Sequence, residues 1–231
     1  MYDVISELVD DGDYLAMKPK WAKNIVTVFG KIGGMPVGII GNQPMHLGGA
    51  IDGDAADKAA RFINICDAFN IPLVFLQDVP GFIVGSKVEK AGIIRHGAKM
   101  LHAVAEATVP KFTVILRKAY GAGYFVMNGK AFEPDLIVAW PTAEISVMGA
   151  EGAASILYHK QIRNSEDPKQ ELMEYANQFK ELIDVKIAAS NMLIDDVIDP
   201  ADTKSELYYA LVSSINKQVE RPQKKNSIRP V

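Results

Sequence analysis

Between Ile71 and Tyr158 a short apolar run gives way to a glycine-bearing or turn-rich loop and then to a stretch of helical period, three times in succession. The runs are Ile71-Pro-Leu-Val-Phe-Leu76, Phe112-Thr-Val-Ile-Leu116 and Leu136-Ile-Val-Ala-Trp140. None alternates apolar with polar residues, so each predicts a strand covered on both faces. Strands separated by a helix are joined by crossovers, which makes them parallel and sheathes the sheet in helices. The chain is therefore expected to be α/β, with ligands held by loops at the C-terminal ends of its strands.

The flanking segments fill in the expectation. Tyr2 to Leu15 reads as a short helix stopped at Asp11-Gly12. Asn24–Phe29 and Val37–Gly41, separated by the turn signal Gly33-Gly34-Met35-Pro36, predict a hairpin. Ala56, Ala59, Ala60, Ile63, Cys66 and Phe69 recur every three to four residues, which predicts a helix over Asp54–Asn70. Glu89–Thr108 is expected as one long helix with Ile93, Ile94, Met100, Leu101, Val104 and Ala105 as its apolar stripe. A helix from Gly121 is expected to run to about Phe132, Ile145–Met148 to be a short strand, and Gly149 to open a helix through Tyr158. Asp167–Asn191 reads as helical and is broken by Asp195–Pro200, after which Thr203–Val219 is a helix with Leu207, Leu211, Val212 and Ile215 on one face. Residues 1–20 are read as a helix and lead-in, and the basic, proline-containing 221–231 as a disordered tail, around a single domain.

Charge and cysteine usage narrow the function. A net charge of −3 gives no reason to expect nucleic acid. The single cysteine, Cys66, excludes an internal disulfide and a cysteine zinc site, and its helical spacing with Phe62 and Phe69 places it in the core. The N-terminus is acidic rather than basic and apolar, and no run has the length of a membrane span, so a cytoplasmic protein without direct membrane insertion is expected.

The feature with chemical promise is Gly121-Ala122-Gly123, directly after the second strand. A strand that ends there and opens a helix leaves unpaired backbone N–H groups aimed at one spot, and small residues let a ligand approach the backbone. Such a spot stabilises an oxyanion, although a tight strand-to-helix turn accounts for the same residues. Asp78-Val-Pro-Gly-Phe-Ile-Val-Gly85 and Gly149-Ala-Glu-Gly152 invite the same two readings. Familiar catalysts do not assemble. Ser86, Ser146 and Ser155 lack a nucleophile elbow, and no dinucleotide fingerprint or Walker lysine is present. His96 and His102 do not share a helix face, and the four histidines show no His-x-x-x-His spacing, which argues against a metal site. Asp78, Asp135, Glu144 and Glu151 are lone carboxylates, more often caps or ion-pair partners than acids or bases. Glycine loops without an evident proton-transfer group suit a reaction in which the protein stabilises an enolate and a cofactor moves the proton.

Several ordered blocks carry a resemblance: Gly41-Asn-Gln-Pro44, Asp67-Ala-Phe-Asn-Ile-Pro72, Asp78-Val-Pro-Gly-Phe82, Gly92-Ile-Ile-Arg-His-Gly-Ala-Lys99 and Glu106-Ala-Thr-Val-Pro110. Arg117-Lys-Ala-Tyr-Gly121, Ala139-Trp-Pro-Thr-Ala-Glu144 and Val147-Met-Gly149 continue it. From Tyr2 to about Pro222 the chain resembles the carboxyltransferase (β) subunits of biotin-dependent acyl-CoA carboxylases, propionyl-CoA carboxylase among them, and specifically their C-terminal half. The resemblance implies a crotonase-like (ClpP/crotonase) spiral of ββα units. It also implies transfer of a carboxyl group between carboxybiotin and an acyl-CoA of the propionyl or acetyl type, through enolates held in backbone oxyanion holes.

By position in the motif, the N–H groups of Ala122 and Gly123 would be the hole for biotin. Gly81, Phe82, Gly121 and Tyr124 would surround the cofactor, and Phe125 would shape the acyl pocket. Two departures stand out: many carboxylases have glycine then alanine where this chain has Ala122-Gly123, and Phe125 replaces an aspartate common in propionyl- and acetyl-type enzymes. The implied cofactor is biotin on a carrier protein or domain, with no metal in this domain. The implied partners are the biotin carboxyl carrier protein, biotin carboxylase, an N-terminal carboxyltransferase half that binds the acyl-CoA, and further copies in a homo-oligomer. Met1 would fall near the middle of such a subunit, as in an excised domain or a split enzyme. The same motifs serve the α-subunit of biotin-dependent acyl-CoA decarboxylases, and a non-catalytic assembly or biotin-binding fragment is the third reading.

Overall fold

The structure, a computed structural model, describes residues 1–220 and 230, so the tail expected over 221–231 lies outside the described residues apart from Pro230. In chain order the strands are β1 (Tyr14–Ala16), β2 (Ile25–Ile32), β3 (Met35–Asn42), β4 (Leu73–Val79), β5 (Lys111–Tyr120), β6 (Leu136–Ala139), β7 (Glu144–Ser146) and β8 (Asp196–Val197). The helices are α1 (Tyr2–Leu8), α2 (Gly53–Ala68), α3 (Ser86–Lys90), α4 (Ile93–Glu106) and α5 (Gly121–Val126), then α6 (Ala150–Leu157), α7 (His159–Asn164), α8 (Pro168–Leu182), α9 (Val185–Ser190) and α10 (Thr203–Ser213).

One sheet runs β1-β2-β3-β4-β5-β6-β8, and β7 joins it on β5. Pairing is antiparallel across β1, β2 and β3 and parallel from β3 onward, as the strand–loop–helix alternation requires. The β2–β3 hairpin turns on Gly33 and Gly34, both at positive φ, and the Asp10 carboxylate accepts their N–H groups at 3.1 and 2.7 Å. Alternate residues of the buried strands feed two cores. Val37, Ile39, Val74, Leu76, Phe112 and Val114 pack with α1 and α10, whereas Leu73, Phe75 and Val79 face α2 and α4. Burial on both faces is why these strands show no polar alternation. Cys66 on α2 sits over Gly38 of β3, where a Cβ would lie 2.4 Å from its sulfur, and burial pushes its thiol up to about 12. β5 forks: Phe112–Ile115 pair with β6, while Lys118–Tyr120 pair with β7.

Several boundaries differ from the sequence reading. The first helix ends at Leu8; Asp11 turns at φ 56, and Tyr14–Ala16 form a strand on β2. Glu89–Thr108 is two helices, because Gly92 adopts φ 86 between α3 and α4. The helix from Gly121 stops at Val126, since Asn128 turns at φ 64, and only a short 3-10 turn follows at Lys130–Phe132. β7 spans Glu144–Ser146 instead of reaching Met148. Asp167–Asn191 divides at Ile183–Asp184, where Asp184 caps α9, and the break before α10 contains edge strand β8. α10 ends at Ser213 instead of Val219; Leu207 and Leu211 on it are buried, but Val212 is exposed, as is Ile215 beyond the helix end. Phe69 is exposed as well, because Asn70 turns the chain at φ 54 as α2 ends.

Candidate functional site

β5 delivers the chain to Gly121, whose φ of 54 and whose position relative to Val147 both require glycine: a Cβ there would lie 2.9 Å from the Val147 carbonyl oxygen. α5 starts at that residue. Its first N–H groups have no partner within the helix. Tyr120, the residue before α5, makes no side-chain cap, and among the described residues no loop carbonyl takes the N–H of Ala122 or Gly123. Two adjacent donors at the positive end of a helical turn are free for an anion.

A second glycine loop lies against them. A Cβ on Gly123 would come within 2.7 Å of Val79 Cγ2 and 3.0 Å of Gly81 Cα. Gly81 itself is at φ 124, and its loop is clamped to Ile51 by two backbone hydrogen bonds, Ile51 N–H to Gly81 O at 3.0 Å and Ile83 N–H to Ile51 O at 2.9 Å. Phe82 leans onto α4 where Gly97 makes room; a Cβ there would be 3.0 Å from its ring. The third loop closes the group, with the Gly149 position 3.2 Å from the Tyr120 ring when a Cβ is built. Loops that are up to about seventy residues apart in the chain meet at the C-terminal ends of β4, β5 and β7.

An apolar groove of about 650 Å³ opens beside this cluster, lined by Phe82, Ile94, Leu101, Ala122, Phe125 and Phe132 among others, with Glu89 its charged member. Ile94 and Leu101, expected on the core stripe of a long helix, stand exposed in this groove instead. Phe125 is 44% exposed on its wall. Tyr124 turns the other way: its ring is buried with Ile115 and Ala119, and its hydroxyl accepts the Lys130 N–H at 2.9 Å. Only its backbone remains near the opening. Of the seven residues singled out from sequence, six thus cluster at one opening, and Tyr124 supports it from behind.

Ion pairs fix the floor. Asp78, 6% exposed, receives Arg117 at 3.0 Å and Lys118 at 3.3 Å, and its backbone N–H donates to Asn42 Oδ1 at 3.2 Å. Tyr120 donates to Glu144, which ties β5 to β7, and burial together with Glu144 raises the tyrosine pKa, so it stays a donor at neutral pH. Asp135 lies at the opposite end of the sheet, where it accepts the Lys111 N–H at 2.8 Å and pairs with Lys217 at 2.7 Å. These carboxylates behave as structural partners. Sequence reasoning passed over Gln77, which carries no motif of its own, gave Tyr120 no role although it lies within Arg117-Lys-Ala-Tyr-Gly121, and gave Gly149 little weight; the three-dimensional convergence identifies them. Among the described residues no cluster of three or more His, Cys, Asp or Glu is placed to hold a metal ion, and no helix is long and apolar enough to cross a membrane.

The model of the carboxyl transferase domain family matches residues 1–228. The chain is 50% identical over 232 residues to the methylmalonyl-CoA carboxyltransferase 12S subunit of Propionibacterium freudenreichii subsp. shermanii, covering 99% of this chain and 44% of that protein. It is 47% identical over 235 residues to the methylmalonyl-CoA decarboxylase α-subunit of Propionigenium modestum, covering 100% of this chain and 45% of that protein. A crystal structure of the transcarboxylase 12S hexamer with methylmalonyl-CoA and methylmalonic acid bound superposes with a TM-score of 0.93 at 49% identity, over 100% of this chain and 44% of that one. The expected crotonase-like α/β architecture is the fold observed. The chain spans less than half the length of these curated relatives.

Proposed function

This chain belongs to the carboxyl transferase family, and on that premise we propose that it forms the biotin-binding half of an acyl-CoA carboxyltransferase acting on propionyl- or methylmalonyl-type substrates. The observation that carries this reading is the packing of Gly123 on Val79 and Gly81, which sets two glycine turns edge to edge beside an apolar groove.

The residues present suit biotin. The absence of side chains at Gly81 and Gly123 lets the two turns pack edge to edge, and Phe82 and the groove offer apolar walls for the bicyclic ring. Bound on its carrier protein, biotin supplies the group that takes up and gives back the carboxyl. The N–H groups of Ala122 and Gly123 would donate to its ureido oxygen. Because the sheet fixes them in advance, they need no reorganisation as charge grows there. Gly121 provides the turn, Gly81 and Phe82 one wall, and Phe125 the face toward the acyl chain. Contacts to the acyl-CoA thioester are assigned to an N-terminal half. The exposed Val84, Ile94 and Val147 around the opening support a protein partner there, with further copies completing an oligomer.

A decarboxylase α-subunit is the second reading, favoured by the 47% identity to such a subunit. Following the carboxyl group of methylmalonyl-CoA in the enzyme assembled with its biotin carrier separates them: a carboxyltransferase leaves it on biotin or on a second acyl acceptor, whereas a decarboxylase releases it as CO2. A purely assembling fragment would give neither when mixed with the N-terminal half. The decisive comparison uses Gly123→Pro and Gly123→Ala in the assembled enzyme. Both add the same Cβ, but only proline removes the N–H. Proline should cost on the order of 10²–10³-fold more in kcat than alanine; equal activities would remove the oxyanion assignment.

A further inference from the structure

α5 has six residues, too few to hold itself by helix propensity. It is gripped by its neighbours. β4 reaches its front at Val79, against Gly123, and its back two residues earlier, at Gln77. Gln77 is fully buried, and its amide Nε2 donates to the Met127 carbonyl at 2.6 Å and reaches the Tyr124 carbonyl at 3.5 Å. The register of β4 on β5 shifts between Gln77 and Val79, an irregularity that re-aims these two side chains at opposite ends of one turn.

The amide cannot be turned over, since its oxygen would then face the Met127 carbonyl. Its Oε1 therefore has no partner among the described residues. Asn128, also fully buried, repeats the pattern. Its Nδ2 donates to Thr113 Oγ1 at 2.9 Å, and the Thr113 hydroxyl in turn donates to the Asn128 carbonyl at 2.9 Å, which leaves Oδ1 unpaired. Interiors rarely keep unpaired acceptors, and two beside one short turn mark a place where the donor end of the amide is what matters.

We propose that Gln77 is the positioning residue of this site, holding the carbonyl end of α5 so that the N–H groups of Ala122 and Gly123 stay aimed at the cofactor; this rests on the oxyanion reading given above. Gln77 touches no reacting atom. It acts through the turn.

Two variants test it. Gln77→Leu removes the donor; amide hydrogen exchange of the segment spanning residues 119–128 should quicken at least about tenfold, with α2 unchanged. Gln77→Glu keeps a donor while its buried carboxyl is protonated and turns it into a repelling charge once ionised. In the enzyme assembled with its N-terminal half and carrier, Gln77→Glu should keep wild-type kcat at low pH and lose it along an alkaline limb the wild type lacks. KM for acyl-CoA should stay constant. Unaltered exchange in Gln77→Leu, or a wild-type pH profile in Gln77→Glu, overturns the proposal. Exchange needs no carboxyl transfer, so an inactive wild-type assembly would sink the functional reading while leaving the positioning role to be decided by exchange alone.

Discussion

Replacing Gly123 with alanine sets two effects of opposite sign against each other. Inside a helix, alanine is ordinarily better than glycine by roughly 0.5–1 kcal/mol. Here the added methyl would lie 2.7 and 3.2 Å from the two Val79 methyls and 3.0 Å from Gly81 Cα, where contacts of 3.4 Å or more are ordinary. Val79 is fully buried on β4, and Gly81 is tied to Ile51, so neither yields without moving a strand end or a clamped loop. Overpacking of this kind costs about 1–3 kcal/mol. Steric cost wins, and for a chain of this length each kcal/mol lowers Tm by roughly 2–4 °C. Thermal unfolding followed by circular dichroism should place Gly123→Ala below wild type. In a Val79→Ala background, which removes both methyls, most of that loss should disappear, a coupling well above the roughly 0.3–0.5 kcal/mol scatter of independent sites. A Tm equal to or above wild type, or the same loss in both backgrounds, would refute the close approach of the two glycine turns.

Asp10 offers a pH test. Its carboxylate accepts the N–H of Gly34 and Gly33 and pairs with Lys204 at 3.3 Å, and the Gly34 hydrogen bond leads in holding its pKa below the ordinary 3.8. The unfolded chain therefore takes up the proton first as pH falls, and this stability is present above about pH 4 and lost as pH drops through the folded pKa. Asp10→Asn should lower Tm at pH 7, and the gap to wild type should narrow as pH falls below about 4; a constant gap would contradict it. Phe125, half exposed in the groove, should tolerate Phe125→Asp for less than about 1 kcal/mol in chemical denaturation. In the assembled enzyme the same change should shift the ratio of kcat/KM between propionyl-CoA and longer acyl-CoAs by about 10-fold or more; an unchanged ratio would take Phe125 out of the acyl pocket.

What could be read from sequence was whatever depends on burial along a single element. The runs at Ile71, Phe112 and Leu136 are buried on both faces and became β4, β5 and β6 within a few residues. The Gly33-Gly34 signal placed the hairpin. Tyr14–Ala16 could not be read, because an exposed Leu15 between two half-buried residues becomes a strand only through pairing with Val28–Gly30. Gly92 looked tolerable inside a helix, yet its left-handed backbone divides α3 from α4 and swings Ile94 and Leu101 off the core. At the site, Gly81 and Gly123 were each visible as turns, but their contact is a matter of crossover geometry that no local pattern encodes. Gln77 gave no signal at all, as a lone amide in an apolar strand is silent until its carbonyl partners are known.

The fork in β5 has a mechanical meaning. Its first half is braced by β6 within the sheet, but the three residues before the Gly121 turn lean on β7. β7 is in turn fastened to the loop between α8 and α9, through the Ile145 N–H to Ile183 at 3.3 Å and the pairing of Glu144 with Asp184. The α6–α9 arm and the turn are thus springs in series, coupled by a ladder three residues long, while the sheet acts as the fixed anvil. Load applied to the arm by a neighbouring molecule reaches the Gly121 turn through β7 and is shared there with the pairing of Val79 on Ala119.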